Sequence, residues 1–227
     1  MVEQHEIAKH TYDNAWKYDS NFTNYERNRL LAALENDSKG RGCKLLDVGC
    51  GNGSVSEFFA GLGYDVTGID ISDTGIDRAK KRCSGTFIQG DVSNGLPFDN
   101  ESFDVVFWGD NVEHLLAPVA VLLEIKRILR PGGRLLVSCP NTGHWWARLY
   151  YLIKGAMPRN EGHVNPPWQW EHLRFFTPST LRKFLLSGGF NVTHMHGTHS
   201  SKFQSIIARK WPSMFATILL AEAKPIK

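Results

Sequence analysis

The hydrophobic pattern of residues 41–140 switches between two periods. Short apolar runs of strand length, such as residues 45–48 and 103–107, are separated by segments with helical spacing. One such segment places Val55, Phe58, Phe59 and Leu62 at i, i+3, i+4 and i+7, which predicts a helix with one buried stripe. Ser54 followed by Glu57 three residues later predicts a capping box at its start. Strands that alternate with helices indicate an α/β fold, in which a parallel sheet is joined by right-handed crossovers.

The turn between the first strand and the first helix is dense in glycine. Gly49, Gly51 and Gly53 occupy alternate positions, and Asp47 lies directly ahead of them. Glycines at these positions let the backbone adopt conformations closed to other residues and let a ligand lie against the main chain. Dinucleotide-binding folds use a similar turn with the spacing GxGxxG, but here the third glycine comes one residue early. The spacing therefore disfavours an NAD-dependent oxidoreductase, which is kept as an alternative.

Further acidic residues follow the next strands of the predicted sheet. The second strand ends at Asp70, and an acid at that place can accept hydrogen bonds from both ribose hydroxyls of an adenosine. The third strand ends at Asp91 and Val92, and the fourth is followed by Asp110 and Asn111. Residues 129–137, with the sequence LRPGGRLLV, turn into the fifth strand.

These five motifs, in this order, resemble the class I S-adenosylmethionine (SAM) dependent methyltransferases of the small-molecule type, with domains of type 11 or 12. The resemblance implies a Rossmann-like α/β fold with a seven-stranded sheet in the order 3-2-1-4-5-7-6, an antiparallel strand 7 and helices on both faces. It also implies SAM as the cofactor and S-adenosylhomocysteine as its product. The residues it assigns to cofactor binding are Asp47, Gly49, Gly51, Gly53, Asp70, Ile71, Asp91, Val92, Asp110 and Asn111.

The chain divides into a short leading segment and one domain. Residues 1–40 are predicted to be a helical lid, and residues 41–227 the methyltransferase domain. Within the domain, residues 141–176 carry six tryptophans and tyrosines, and a loop this long in a compact domain is usually functional. We therefore expect 141–176 to form an acceptor pocket and lid, with a short helix at about 145–153. A helix beginning at Thr177 and Pro178 and a last strand over 215–223 are predicted to follow.

The expected chemistry depends on the group that receives the methyl. A hydroxyl oxygen attacks best after it loses its proton to a positioned base, and histidine is the usual base near neutral pH. His114, just after the fourth strand, and His172, in the insertion, are the predicted catalytic residues, and His144 and His163 are the other candidates. The prediction is methyl transfer to the oxygen of a sugar, glycoside or phenol. A protein that binds SAM without turnover is the second alternative.

A metal could assist the same step. Asp110, Glu113 and His114 are spaced i, i+3, i+4, and would share one face of a helical turn. The ubiquinone-biosynthesis O-methyltransferases have a similar ExxEH arrangement, although here the first acid is Asp. We expect no metal, because Glu-His alone is common in methyltransferases that use none.

Composition limits the remaining partners. A net charge of +3 is too small to indicate a nucleic-acid partner, and no apolar run has the length of a membrane span. The four cysteines contain no CxxC pair, which disfavours a zinc site or a disulfide framework. We expect a cytoplasmic protein with a small-molecule acceptor and no membrane or nucleic-acid partner, whose oligomeric state the sequence leaves open.

Overall fold

A computed structural model describes residues 9, 12, 13, 40, 42–156, 172–199 and 202–226 of the chain. Strands and helices alternate along the first half, as the pattern predicted. The strands are β1 (Lys44–Val48), β2 (Asp65–Asp70), β3 (Thr86–Gln89), β4 (Phe103–Gly109), β5 (Leu129–Pro140), β6 (Phe190–Thr198) and β7 (Ile218–Pro225). The helices are α1 (Ser54–Gly61), α2 (Asp73–Arg82), α3 (Pro118–Ile128), α4 (Trp145–Lys154), α5 (Pro178–Ser187), α6 (Lys202–Lys210) and α7 (Pro212–Phe215). Two short 3-10 turns lie at Val92–Asn94 and Val112–His114.

All seven strands form one sheet in the order β3-β2-β1-β4-β5-β7-β6. Strands β1 to β5 pair in parallel, whereas β7 is antiparallel to both β5 and β6. The predicted fold class is confirmed, including the strand order and the direction of the last strand. Because β6 is again parallel to β5, the carboxyl ends of six strands meet at one edge of the sheet, where ligands of open α/β sheets bind.

The ends of several helices follow from local capping. Ser72 caps α2 by accepting a hydrogen bond from the backbone N–H of Gly75, and Thr177 forms a capping box with Thr180 at the start of α5. The predicted capping box of Ser54 and Glu57 is wrong. The residue before α1 is Gly53, which has a left-handed backbone and no capping side chain, because the ligand turn itself leads into the helix.

The last part of the chain departs from the predicted elements. The last strand begins at Ile218 and not at residue 215, because residues 212–215 form α7. Asn141, just after β5, holds this corner in place through its side-chain amide, which donates to the carbonyls of Pro212 and Ala216. The short helix α7 therefore packs beside the end of β5, at the same edge of the sheet as the glycine turn.

The core lies on both faces of the sheet. The largest cluster includes Trp108, Leu122, Ile125 and Phe190, all fully buried. A second is formed around Phe59 of α1, and a third includes Ile76 of α2 and Phe87 of β3. None of the four cysteines, all of which are described, forms a disulfide. No described helix has both the length and the apolar character needed to cross a bilayer.

Candidate functional site

The glycine turn after β1 is built from positive φ angles and close backbone approaches. Gly49, Gly51 and Gly53 have φ angles of 75°, 50° and 76°, which residues with a Cβ rarely adopt. A Cβ on Gly49 would lie 2.8 Å from the side-chain nitrogen of Asn111, and one on Gly53 would lie 2.8 Å from the Cα of Ala79 in α2. The first glycine thus leaves room against the residues after β4, and the third lets α1 and α2 pack closely.

Asp70 joins the glycine turn to the end of β2. Its carboxylate oxygens accept hydrogen bonds from the backbone N–H groups of Gly51 and Ser72, both at 2.8 Å. Burial raises the pKa of this carboxyl, and the two backbone N–H groups oppose that rise. The carboxylate is therefore held in one orientation at the sheet edge, and each of its oxygens keeps a second lone pair for a ligand hydroxyl.

Asp47 lies beneath the turn. It is buried, and its carboxylate accepts a hydrogen bond of 2.6 Å from the hydroxyl of Ser56 in α1. Burial, which outweighs the opposing hydrogen bond from Ser56, raises the pKa of Asp47 to about 7, with a smaller contribution from the nearby carboxylate of Asp70. Burial also raises the pKa of the neighbouring thiol of Cys50, which keeps that cysteine protonated and unreactive.

The other predicted cofactor residues follow β2, β3 and β4. The carbonyl of Ile71 accepts a bond from the Gln89 side chain. Asp91 caps the 3-10 turn that begins at buried Val92, by accepting from the backbone N–H of Ser93. Asn111 accepts a hydrogen bond from the indole of Trp108. Together with Asp70, these residues line the β2, β3 and β4 ends of one edge, as the ordered motifs predicted.

Asp110 has a positive φ of 45°, which is uncommon for a residue other than glycine. Its backbone N–H donates to the carbonyl of Ser138 in β5, and the Ser138 hydroxyl donates to its carboxylate. These bonds stabilise the turn that carries the chain from β4 into the 3-10 turn Val112–His114.

A cavity of about 660 Å³ opens beside the carboxyl ends of β4 and β5. The predicted insertion, 141–176, supplies much of its wall, together with residues after β4 and at the start of β7. Its lining consists of Asp110, Glu113, His114, Pro140, Asn141, His144, Trp145, Trp146, Ala147, His172, His199, Thr217 and Ile218. The predicted contributions of His163, Trp168 and Trp170 lie outside the described residues.

His114 and His172, which are 58 positions apart, meet on the wall of this cavity. Their ring centroids are 4.7 Å apart, and the Nε2 atom of each ring lies 4.0 Å from the same Oε1 atom of Glu113. The backbone explains the meeting, since the N–H groups of Leu173 and Arg174 both donate to the carbonyl of Glu113. The buried carboxylate of Glu113 therefore faces two imidazoles that the same pair of backbone bonds brings together.

Arg174 bonds two backbone carbonyls beside the histidine cluster. Its guanidinium donates to the carbonyl of Leu116 at 2.7 Å and to that of its own neighbour Leu173. Arg174 thus ties the segment that carries His172 to the turn that carries His114.

The same cluster defines the strongest arrangement for a cation among the described residues. Glu113, His114 and His172 offer one ligand atom each, and these atoms lie within 4.8 Å of one another. One carboxylate with two imidazoles is a ligand set that zinc and other first-row metals accept. Asp110, the third ligand in the metal alternative drawn from the sequence, is replaced in this group by His172. The absence of a metal stays a prediction.

His144, one of the other candidates from the sequence, and His199, which the sequence did not indicate, both line the cavity. The Nδ1 atom of His144 accepts from the backbone N–H of Trp146, and its ring lies 5.9 Å from that of His199. Burial lowers the pKa of His144, and His199 lowers it further, so the ring is neutral near pH 7. The strand order could have indicated His199, because β6 runs parallel to β5 and His199 is the first residue after it.

Three described residues of the leading segment contact this edge of the domain. The carboxylate of Asp13 accepts from the hydroxyl of Ser72 and the backbone N–H of Thr74, at the start of α2. Lys9 lies 2.6 Å from Asp73, and the ring of Tyr12 meets the edge of His114 at 6.1 Å. The rest of the predicted lid, residues 1–40, lies outside the described residues except for Gly40.

Comparisons with known proteins agree with this geometry. Residues 46–137 match a family described as a methyltransferase domain. A ubiquinone biosynthesis O-methyltransferase of Coxiella burnetii is 30% identical over 173 residues, which are 74% of this chain and 72% of that protein. The chain belongs to the SAM-dependent methyltransferases, and this decides against the NAD-dependent oxidoreductases.

Solved structures show the same fold. Magnesium protoporphyrin IX methyltransferase from Synechocystis, with bound S-adenosylhomocysteine, superposes with a TM-score of 0.66 at 18% identity, covering 96% of this chain and 98% of that one. A SAM-dependent methyltransferase from Mesorhizobium loti gives a TM-score of 0.60 at 20% identity, over 85% and 95% of the two chains. The chain is thus a SAM-dependent methyltransferase enzyme with SAM as its cofactor, and its relatives support transfer to oxygen as the reaction type.

Proposed function

We propose that this protein transfers the methyl group of SAM to a hydroxyl oxygen of a small sugar, glycoside or phenol bound in the cavity, with His114 or His172 as general base. The observation that carries the proposal is the cluster of Glu113, His114 and His172 on the cavity wall. Two imidazoles beside one buried carboxylate, at the place where the residues after β4 border the ligand edge, form an arrangement suited to removing a proton.

The residues of the glycine turn fit SAM. Gly49 and Gly51 have no side chains of their own that would obstruct a ligand, and Asp70 presents a fixed carboxylate for the ribose. Asp91 and Val92 lie at the next strand end, where the adenine is expected. Bound SAM supplies a methyl group on a positively charged sulfur, which is the electrophile of the reaction.

The histidine cluster supplies the base. A neutral imidazole accepts the proton of the acceptor hydroxyl, and the oxygen becomes nucleophilic as that O–H bond breaks. The carboxylate of Glu113, 4.0 Å from each Nε2 atom, offsets the positive charge that the ring acquires. Leu173 and Arg174 are positioning residues. Their bonds to the carbonyls of Glu113 and Leu116 hold the rings of His114 and His172 in place without reaching the acceptor.

The remaining cavity wall suits a flat or ring-shaped acceptor. Trp145 lies on the wall, and an aromatic face can stack on a phenol ring or on the apolar face of a sugar. Thr217 and neutral His144 add polar groups that could orient hydroxyls, whereas the Asn141 amide is already bonded to the backbone of Pro212, Ala216 and Gly143. Residues 1–40 and 141–176 are proposed to close over the two substrates, which the contacts of Asp13 and Tyr12 with Ser72 and His114 support.

The test uses His114→Gln, His172→Gln and the double variant. SAM binding is measured by calorimetry, and transfer of labelled methyl is measured with catechols, simple phenols and methyl glycosides as probes, with and without EDTA. Loss of a general base costs about 10²- to 10⁴-fold in rate. We expect the double variant to lose this much while its SAM affinity stays that of the parent. His194→Gln, an exposed histidine on β6, is the matched control.

Three other results would contradict parts of this proposal. If both single variants and the double variant keep parental turnover on every accepted probe, the histidine-base mechanism is wrong. If EDTA abolishes turnover and added zinc or magnesium restores it, then Glu113, His114 and His172 hold a metal, and the acidified hydroxyl needs no histidine base. If carboxylic acids or amines are methylated and hydroxyls are not, oxygen transfer to a hydroxyl is wrong.

A further inference from the structure

Helix α4 carries its apolar side chains on the outside. Trp145, Leu149 and Ile153 are spaced i, i+4 and i+8, and Trp146 and Leu152 lie beside them on the same side of the helix. These five side chains are between 36% and 80% exposed, and Ala147 is the only buried residue of the helix. A surface helix normally turns such a stripe toward the core, so this helix has the reverse orientation.

Specific bonds hold α4 in this orientation. The guanidinium of Arg148 donates to the carbonyl of Gly143 at 2.6 Å and to the carbonyl of Ser213 in α7. His144 caps the helix by accepting from the backbone N–H of Trp146. The polar side of the helix is therefore attached to the domain, and the exposed apolar stripe is a feature of the folded chain.

The neighbouring helix α7 extends the exposed apolar surface. Trp211, directly before α7, is 59% exposed, and Met214 within it is partly exposed. The contact of Arg148 with Ser213 places the two helices next to each other. We call Trp145, Trp146, Leu149, Leu152, Ile153, Trp211 and Met214 the apolar rim, because Trp145 and Trp146 also line the cavity.

The described charged residues in the segments that carry the apolar rim have one sign. Among residues 142–156 and 206–217 they are Arg148, Lys154, Arg209 and Lys210, with no Asp or Glu in either stretch. The whole chain has 23 acidic residues, so their absence from both stretches is a local bias. Tryptophan and tyrosine beside aliphatic residues and cations are the composition of helices that lie in the interface of an anionic bilayer.

We propose that α4 and α7 bind the surface of an anionic lipid bilayer, with the apolar rim in the headgroup region. A second copy of the chain is a poorer occupant, because a symmetric pairing would bring these cations against their own counterparts. The expectation of no membrane partner was drawn from the lack of a spanning segment, and an interfacial helix needs no such length. Since Trp145 and Trp146 border the cavity, the bilayer would lie at its mouth.

The test is co-sedimentation of the full chain with vesicles, which requires neither SAM nor an acceptor. One set is pure phosphatidylcholine, and the other is an equal mixture of phosphatidylcholine and phosphatidylglycerol. We expect binding to the mixed vesicles that weakens with salt, and quenching of tryptophan emission by brominated lipid. Leu152→Asp/Ile153→Asp should bind at least about ten-fold more weakly, because two apolar side chains leave the interface and two negative charges enter it.

A matched control distinguishes the loss of the apolar rim from the effect of two added negative charges. Leu123→Asp/Leu186→Asp makes the same chemical change at exposed leucines of α3 and α5, and should bind lipid far better than the rim variant. Calorimetry with SAM checks that every variant is folded. The proposal is overturned if the parent does not bind mixed vesicles or if both double variants lose binding equally. It is also overturned if sedimentation velocity shows a dimer that depends on Leu152 and Ile153 while vesicles are not bound.

Discussion

The cofactor side and the acceptor side both lie at the carboxyl ends of the strands, yet different contacts hold them. On the cofactor side, Asp70 bonds the backbone of Gly51 and Ser72, and Ser56 in α1 bonds Asp47, so these contacts span at most 19 positions of chain. On the acceptor side, His172 reaches His114 only because residues 173 and 174 bond the carbonyl of Glu113 across 60 positions of chain.

The difference separates two kinds of function. A cofactor common to a family can be bound by short motifs whose geometry is local, so the glycine turn and Asp70 need little from the rest of the chain. An acceptor site that differs between members is assembled from segments after β4, β5 and β6, which the sheet brings together. Changes on the first side should therefore alter stability and SAM affinity, whereas changes on the second should alter turnover.

The largest effect is expected for Asp47, the buried acid on the cofactor side, and it concerns the pH dependence of the free energy of unfolding. Burial raises the pKa of Asp47 to about 7, so the native state keeps a proton that the unfolded chain has lost above about pH 4. The stability from this protonated carboxyl is complete below the unfolded pKa and is lost as pH rises toward 7. In Asp47→Asn this side chain is neutral at every pH. As pH rises to about 7, the unfolding free energy of the variant should therefore fall by up to about 4 kcal/mol less than that of the parent.

Urea denaturation between about pH 4 and pH 7.5 measures that slope. Asp77→Asn, an exposed acid on α2, is the control and should keep the slope of the parent. Equal slopes for Asp47→Asn and the parent would show that Asp47 is ionised in the native state, and that its hydrogen bond with Ser56 outweighs its burial.

A smaller effect is expected for SAM binding. Asp70→Ala removes the carboxylate predicted to bind the ribose, and should weaken SAM binding by roughly 1.5 to 3 kcal/mol, a factor of about ten to a hundred or more. It also leaves the N–H groups of Gly51 and Ser72 without their acceptor, so the melting temperature should fall as well. Calorimetry and thermal unfolding measure the two. A variant that binds SAM as tightly as the parent would remove Asp70 from the cofactor site.

The smallest effect should be confined to the acceptor side. Arg174→Gln removes the guanidinium bond to the Leu116 carbonyl, a loss of about 1 kcal/mol that would let the segment of His172 shift. We expect methyl transfer to fall about five-fold with unchanged SAM affinity. Arg182→Gln, which bonds a carbonyl of β6, is the control. A fall in SAM affinity equal to the fall in turnover would mean that the two sides are not separable.

The sequence pattern predicts where helices begin more reliably than which face of a helix is buried. The sequence predicts that Pro118 begins α3 and that Ser72 or Asp73 caps α2. In the structure α3 begins at Pro118 and Ser72 is the cap, because both features depend on one or two residues. The spacing of Val119, Leu122, Leu123 and Leu129 predicts a buried stripe on α3. In the structure Val119 and Leu123 are exposed, whereas Val121 and Ile125 are buried. In a helix rich in apolar residues along its whole length, the pattern cannot choose a face, and packing against the sheet decides it.

The sequence by itself determined the alternation of strands and helices and the glycine turn, because each is a short segment whose conformation depends on its own residues and their spacing. The number and order of the strands followed from the resemblance of the five ordered motifs to a known family. Only the tertiary structure decided three other features: the pairing of His114 with His172 around Glu113, the place of His199 in the cavity wall, and the outward stripe of α4. These features depend on hydrogen bonds and packing between segments far apart in the chain, and no local pattern records which distant segments meet.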